Sequence, residues 1–142
     1  RYRKSLERLG MTLPNLLSLG AAPAAYVHGE SWLEELLSYL DEQIAWFKEQ
    51  IDARFAGKIT LVPLEGTYLA WLDVRPLLSS AGVAHAEFQQ VLFEQAALWL
   101  SDGRQFGAEG EGFLRLNLAT QRSRVEEGLA RLERAAAIVE DR

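Results

Sequence analysis

From Ser31 to Phe55 the apolar residues Leu33, Leu37, Leu40, Ile44, Phe47, Ile51 and Phe55 recur at steps of three and four. That spacing lines one face of an α-helix. Trp32, Tyr39 and Trp46 recur every seven residues beside this stripe. They widen the apolar arc to about half the circumference, more than the ~100° a surface helix needs. A face this wide packs on two sides. Two readings stand open: both sides are covered within the domain, or one side meets a second domain or subunit.

The rest of the chain divides by the same criterion. Residues 2–9 are predicted helical and stop at Gly10. Residues 11–29 are less regular: Pro14 opens a short helix, and Gly20 and Pro23 interrupt any long one. Gly57 ends the long helix. ITLVPLE, broken by Pro63, predicts one strand, and GTYLAWLDVRP, between Gly66 and Pro76, a second. Val83 to Leu100 predicts an amphipathic helix with Phe88, Val91, Leu92 and Trp99 inward. SDGRQFGAEGEG is turn-rich, with a tight-turn signal at Asp102-Gly103. EGFLRLNLATQRS alternates as a strand does. Ser123 then caps a last helix, and Glu126, three residues on, completes a capping box. Val125, Leu129, Leu132, Ala136 and Val139 form its inner stripe. The order predicts an α/β (α+β) fold, a small mixed or antiparallel sheet covered by helices.

Composition narrows the function classes. A 142-residue chain that is 49% hydrophobic can bury a real core. Its net charge of −5 gives no general pull toward nucleic acid or anionic membrane. The absence of cysteine excludes disulfides and thiolate metal sites within this sequence. No apolar run reaches the ~18 residues of a membrane span, and no signal-peptide pattern is present. A cytoplasmic setting is the expectation. The first residues, RYRKSLERLG, lack Met and begin inside a charged helical stretch. A piece of a longer protein is therefore expected.

Little catalytic chemistry is legible by motif. His28 and His85 lie far apart, and no helix sets two ligands at i, i+4, so neutral structural or exposed roles are expected. There is no G-x-S-x-G elbow. The glycines at 103, 107, 110 and 112 match no phosphate loop and read as turns. The acidic residues fall mostly on outward helix faces and read as solvated surface. Arg115 stands apart. In an extended strand Leu114, Leu116 and Leu118 share one face, and Phe113, Arg115 and Asn117 the other. Two readings fit: a solvated face on which Arg115 pairs with a carboxylate of the chain, or an anion clamp built on the planar guanidinium fork.

Three blocks, AAYVHGESWLEELLSYL, PLEGTYLAWLDVRP and FGAEGEGFLRLNLATQRSRVEEGLARL, resemble the C-terminal part of the class I/II aminotransferase superfamily. These are the fold-type-I pyridoxal-phosphate enzymes, and the likeness is best to the branch of cystathionine β-lyase-like C–S lyases. It spans nearly the whole chain in the right order. The resemblance implies that Arg115, in its R-x-N context, binds the α-carboxylate of an amino-acid substrate, with Asn117 and Tyr68 as lesser substrate contacts. Gly66, Thr67 and Tyr68 match the segment that enters the small-domain sheet. The helix over 31–55 matches the long element linking the large and small domains. Residues 1–29 are then a remnant of the large-domain edge and linker, and 30–142 the C-terminal small domain. Gln121 stands where many relatives have proline.

The family's chemistry also needs a lysine that carries pyridoxal phosphate, an aspartate at the pyridinium nitrogen and a phosphate cup. The only lysines are Lys4, Lys48 and Lys58, and none stands in the family's lysine motif. The resemblance thus implies a parent homodimer that holds pyridoxal phosphate in a large domain outside this sequence. No catalytic residue, cofactor-binding residue or metal ligand is assigned here, and the isolated chain is expected to be inactive. A C–S β-lyase is the leading expectation for the parent. An aminotransferase is the alternative, and a non-catalytic oligomerisation or binding module is the rival from another class. A self-associating patch around Trp32, Tyr39 and Trp46 is expected where the large domain is missing.

Overall fold

The computed structural model describes residues 2–10 and 15–141. It divides into two compact units, Arg1–Tyr39 and Leu40–Arg142. Helix α1 (Tyr2–Arg8) gives way to Gly10 at φ 66°, as its sequence predicts. The helix expected to open at Pro14 lies outside the described residues. Helix α2 (Leu16–His28) starts at Asn15, whose Oδ1 accepts the Leu17 N–H at 2.9 Å. Contrary to expectation, α2 runs unbroken through Gly20 and Pro23. Proline forfeits one helical hydrogen bond, to Leu19, but α2 is solvent-exposed throughout, so water can serve that carbonyl. Alanines on both sides of Pro23 favour the helix.

Helix α3 (Glu30–Phe55) begins in the first unit and ends in the second. Its stripe is buried only from Leu40 onward, through Phe47, Ile51 and Phe55. Leu33 and Leu37, expected in the same stripe, are half exposed. They belong to the first unit, and the residues that cover the stripe belong to the second.

The sheet lies wholly in Leu40–Arg142. Strands β1 (Thr60–Leu61) and β2 (Leu69–Asp73) are shorter than predicted. Pro63 stops the pairing of the first, because it offers no N–H to the ladder. Pro76 does not merely end β2. It sits in the first turn of helix α4 (Arg75–Ala81), where a missing N–H costs nothing. That helix went unpredicted, and Gly82 closes it in the left-handed conformation at φ 66°. Helix α5 (His85–Glu94) buries Phe88, Val91 and Leu92 as expected but ends early. Ala97, at φ 53°, turns the chain, and Trp99 is 79% exposed with its ring edge-on to Phe93, not on the inner side. Strand β3 (Ser101–Asp102) and two 3₁₀ turns, Gly103–Phe106 and Ala108–Gly110, occupy the turn-rich stretch.

Strand β4 (Phe113–Asn117) is central. The sheet order is β1-β2-β4-β3, antiparallel throughout. Leu114, Leu116 and Leu118, with Ala70 and Leu72 of β2, are buried in the helical core. Helix α6 (Arg122–Glu140) buries all five predicted stripe residues. It starts one residue before Ser123, however, so Ser123 is not the cap and the capping box does not form. The cap position is Gln121, with extended backbone and no side-chain capping bond.

Candidate functional site

The register of β2 on β4 sets Trp71 opposite Arg115, Asp73 opposite Phe113 and Leu69 opposite Asn117. On the other side of β4, Ser101 is opposite Arg115. Directly paired residues share a face. Trp71, Phe113, Arg115, Asn117 and Ser101 therefore stand together on the side away from the leucine core.

Arg115 is half-buried there. Its guanidinium carbon lies 4.5 Å from the centroid of the Phe106 ring, and its Nη2 donates to Ser101 Oγ at 3.3 Å. Phe106 meets Trp71 edge-on at 5.5 Å, and Trp71 stacks on Phe113 at 5.7 Å. Arg75 covers Phe113 in turn, 4.6 Å from its centroid. The face is thus a ladder of three aromatic rings with an arginine at each end.

The two arginines differ in their commitments. Arg75 donates Nε and Nη2 to the two oxygens of Asp73, at 2.9 and 2.6 Å. That pairing holds the Asp73 carboxyl below the usual carboxylate range and raises the Arg75 guanidinium. Arg115 takes part in no ion pair among the described residues; its contacts are a ring and a hydroxyl. Of the two readings of Arg115, a carboxylate partner is not found among the described residues. Trp71, Phe106 and Ser101 were not predicted as part of this face. Trp71 was legible from alternation once β2 was paired with β4. Ser101 and Phe106 come from a turn-rich stretch whose path no periodicity specifies.

Asn117 shares the Arg115 face but is exposed, and its Oδ1 accepts the Ala119 N–H at 2.7 Å. It shapes the bend after β4. Tyr68 stands just ahead of β2, where its carbonyl accepts the Leu118 N–H at 2.9 Å. Continued register places it opposite Leu118, on the parity of the core face. The structure thus groups Arg115 with Asn117 and leaves Tyr68, 42% exposed, at the strand entrance. Thr67 beside it holds φ 64°, an unusual conformation for a β-branched residue.

Two devices fix this end of the sheet. Gln43, fully buried on α3, donates Nε2 to the carbonyls of Leu118 and Thr120, at 3.2 and 2.9 Å. Its Oε1 accepts from Arg122 Nε at 3.0 Å, and the Arg122 guanidinium lies over Trp46. Trp46 is consequently half-buried, not part of an open patch. In the loop before β4, Gly103 and Gly110 cross closely. A Cβ on Gly110 would stand 2.0 Å from the Gly103 carbonyl oxygen, and one on Gly103 2.3 Å from that of Gly110. These two glycines do more than turn the chain.

His85 is buried, and its Nδ1 accepts the Gly112 N–H at 2.9 Å. Burial lowers its pKa, with Arg104 adding to the effect and Asp102 and Glu111 opposing it. A neutral, structural histidine results, and His28 is exposed. No group of metal-ligating side chains occurs among the described residues. Lys48 pairs with Asp52 at 2.9 Å, Lys58 with Glu140, and Lys4 is exposed on α1. These lysines do not form a holding set for an aldehyde cofactor. A cleft of about 360 Å³ lined by Gln89, Phe93, Leu98 and Trp99 includes none of Arg115, Asn117 and Tyr68.

Residues 8–132 match the sequence profile of aminotransferase class I and II. Protein MalY of Escherichia coli is 37% identical over 139 residues, covering 97% of this chain and 34% of that protein. Cystathionine beta-lyase PatB of Bacillus subtilis is 30% identical over 135 residues, covering 95% and 34%. The crystal structure of cystalysin from Treponema denticola, which contains a pyridoxal 5′-phosphate cofactor, superposes with a TM-score of 0.82 at 26% identity, covering 96% of this chain and 34% of that one. The chain spans about a third of the length of the curated relatives it matches. With the profile running from the end of α1 into α6, the chain belongs to the class I and II aminotransferase family.

Proposed function

We propose that this chain supplies the substrate-carboxylate grip of a pyridoxal-phosphate enzyme acting on amino acids, a C–S β-lyase of the cystathionine β-lyase kind. The observation that carries the reading is Arg115. It is a half-buried arginine on a structured face, held by Phe106 and Ser101 and without a carboxylate partner among the described residues. Arginine has five N–H donors in a planar fork that matches a carboxylate in two parallel bonds. The lyase reading is supported by the likeness to PatB of Bacillus subtilis, a cystathionine beta-lyase. Transamination is the second reading, favoured by the family profile.

On this reading residues 30–142 are the small domain, and 1–29 the edge and linker of a large domain that holds the cofactor. The parent is a cytoplasmic homodimer. No helix among the described residues is long and apolar enough to cross a membrane. Arg115 fixes the α-carboxylate, so that the bond to be broken keeps one orientation while the rest of the enzyme acts on it. Asn117 shapes the bend beyond it.

The test uses the complete protein with L-cystathionine, following pyruvate. Arg115→Ala should raise KM strongly and lower kcat/KM by about 3 kcal/mol, the size of a lost charge-assisted contact. An unchanged kcat/KM removes Arg115 from the role. Keto-acid-dependent amino transfer without pyruvate release would replace the lyase reading by the transaminase one.

A further inference from the structure

The structure assigns Phe106 and Ser101 as positioning residues for Arg115: together they set the guanidinium so that its hydrogen-bonding edge is left for a carboxylate. This rests on the carboxylate-grip reading above and extends it to residues outside β4.

The case begins with what each contact uses. The Phe106 ring lies 4.5 Å from the guanidinium carbon and takes one planar face, with no N–H consumed. Ser101 Oγ accepts one hydrogen of Nη2 at 3.3 Å. Guanidinium carries five N–H donors, so four remain, enough for a forked contact along an open edge. A salt bridge within the chain would have consumed that edge. Arg75 shows this on the same face, where Asp73 takes Nε and Nη2 together. The ladder thus carries two arginines of like mounting and unlike availability.

The mount is itself fixed. Phe106 packs edge-on against Trp71, which stacks on Phe113, so the ring over Arg115 is braced by its aromatic neighbours. The turn Gly103–Phe106 starts from Asp102, whose Oδ1 accepts the Arg104 N–H at 2.9 Å. Its path is closed by the contact of Gly103 with Gly110. Ser101 is held by its pairing opposite Arg115. A long flexible side chain loses conformational freedom when it grips a ligand, and holding it beforehand reduces that loss. Phe106 and Ser101 therefore act on binding through Arg115 and need not touch the reacting atoms.

The experiment is steady-state kinetics on the complete protein with L-cystathionine, using Phe106→Leu, Phe106→Tyr, Ser101→Ala and Arg115→Ala. Phe106→Leu should raise KM about two- to fivefold with kcat within about twofold, the scale of losing a cation–π contact at a half-exposed ring. Phe106→Tyr, which keeps the ring, should restore KM to that of the parent. Ser101→Ala should raise KM about two- to fivefold, as loss of one hydrogen bond does. If Phe106→Leu does not fold, judged by its thermal transition, Ser101→Ala decides. An unchanged KM in the deciding variant, with a raised KM in Arg115→Ala, overturns the positioning role and leaves the carboxylate grip standing. An unchanged KM in Arg115→Ala overturns the grip and the positioning role with it. A fall in kcat with KM unchanged in Phe106→Leu also overturns it, since a mount for a binding group acts on KM.

Discussion

His85 shows how much one buried residue can set. Its ring accepts the Gly112 N–H, and burial holds its pKa below the ordinary histidine value. The groups facing it are Asp102, Arg104 and Glu111. The unfolded chain takes up the proton near pH ~6.5, whereas the folded chain does so only at lower pH. The stability this histidine supports is therefore complete above pH ~6.5 and is lost as pH falls through the depressed folded value. Urea midpoints should stay level from pH 8 to 7 and decline toward pH 5, and His85→Asn should flatten that decline. An equal decline in the variant would assign the proton uptake to another group. Arg115 is the opposite case, since its ionisation is not in question and its edge is what matters. Alternation alone separated it from the leucines. That it takes part in no ion pair among the described residues needed the structure, because partner choice depends on how the chain from Ser101 to Phe106 folds back, and that stretch has no period to read.

At the scale of elements, long amphipathic runs were legible and short ones were not. The stripes of α3 from Leu40 and of α6 from Val125 were readable because an apolar residue at every third or fourth position enters the common core. Helix α4 was missed because Pro76 signals a stop and a start equally well. The capping box at Ser123 failed because the chain enters α6 through Gln121, next to Arg122, which is tied to Gln43. Gly110, between β3 and β4, and Gly128, on α6, differ in role. Gly110→Ala should destabilise the domain by about 2 kcal/mol, since its Cβ meets backbone that cannot swing aside. Gly128→Ala, on α6 with no heavy atom within 4 Å of the new Cβ, should stabilise it by up to ~1 kcal/mol. Thermal melts of the two variants, moving in opposite directions, check the pair. A Gly110→Ala melt matching the parent would mean that the crossing is looser than described.

For the whole molecule, the distribution of exposed apolar residues is uneven. Within Arg1–Tyr39, Trp32 is 66% exposed, and Leu16, Leu17, Leu33, Leu37 and Tyr26 are also exposed. Contiguous apolar surface beyond a few hundred Å² is uncommon on a monomer. The 142-residue chain prepared alone is expected to self-associate in a concentration-dependent way by sedimentation. Trp32→Glu combined with Leu37→Glu should reduce that association while the melt of the rest of the chain stays within a degree or two. A monomer at all concentrations would remove the case for a partner on this surface. Trp46, which the sequence grouped with these rings, is set apart by Arg122 lying on its face.

Gln43 has a mechanical meaning as well. One amide nitrogen holds two carbonyls just past β4, so α3 and the tail of that strand behave as lever and load, with the buried stripe from Leu40 to Phe55 as the fulcrum. A tilt of the helix must carry Leu118 and Thr120 with it, or break one buried and one partly buried bond. Arg115 stands three residues upstream on the same strand. Torque on α3 would therefore reach the end of β4 that carries Arg115, and the glutamine would set the gearing.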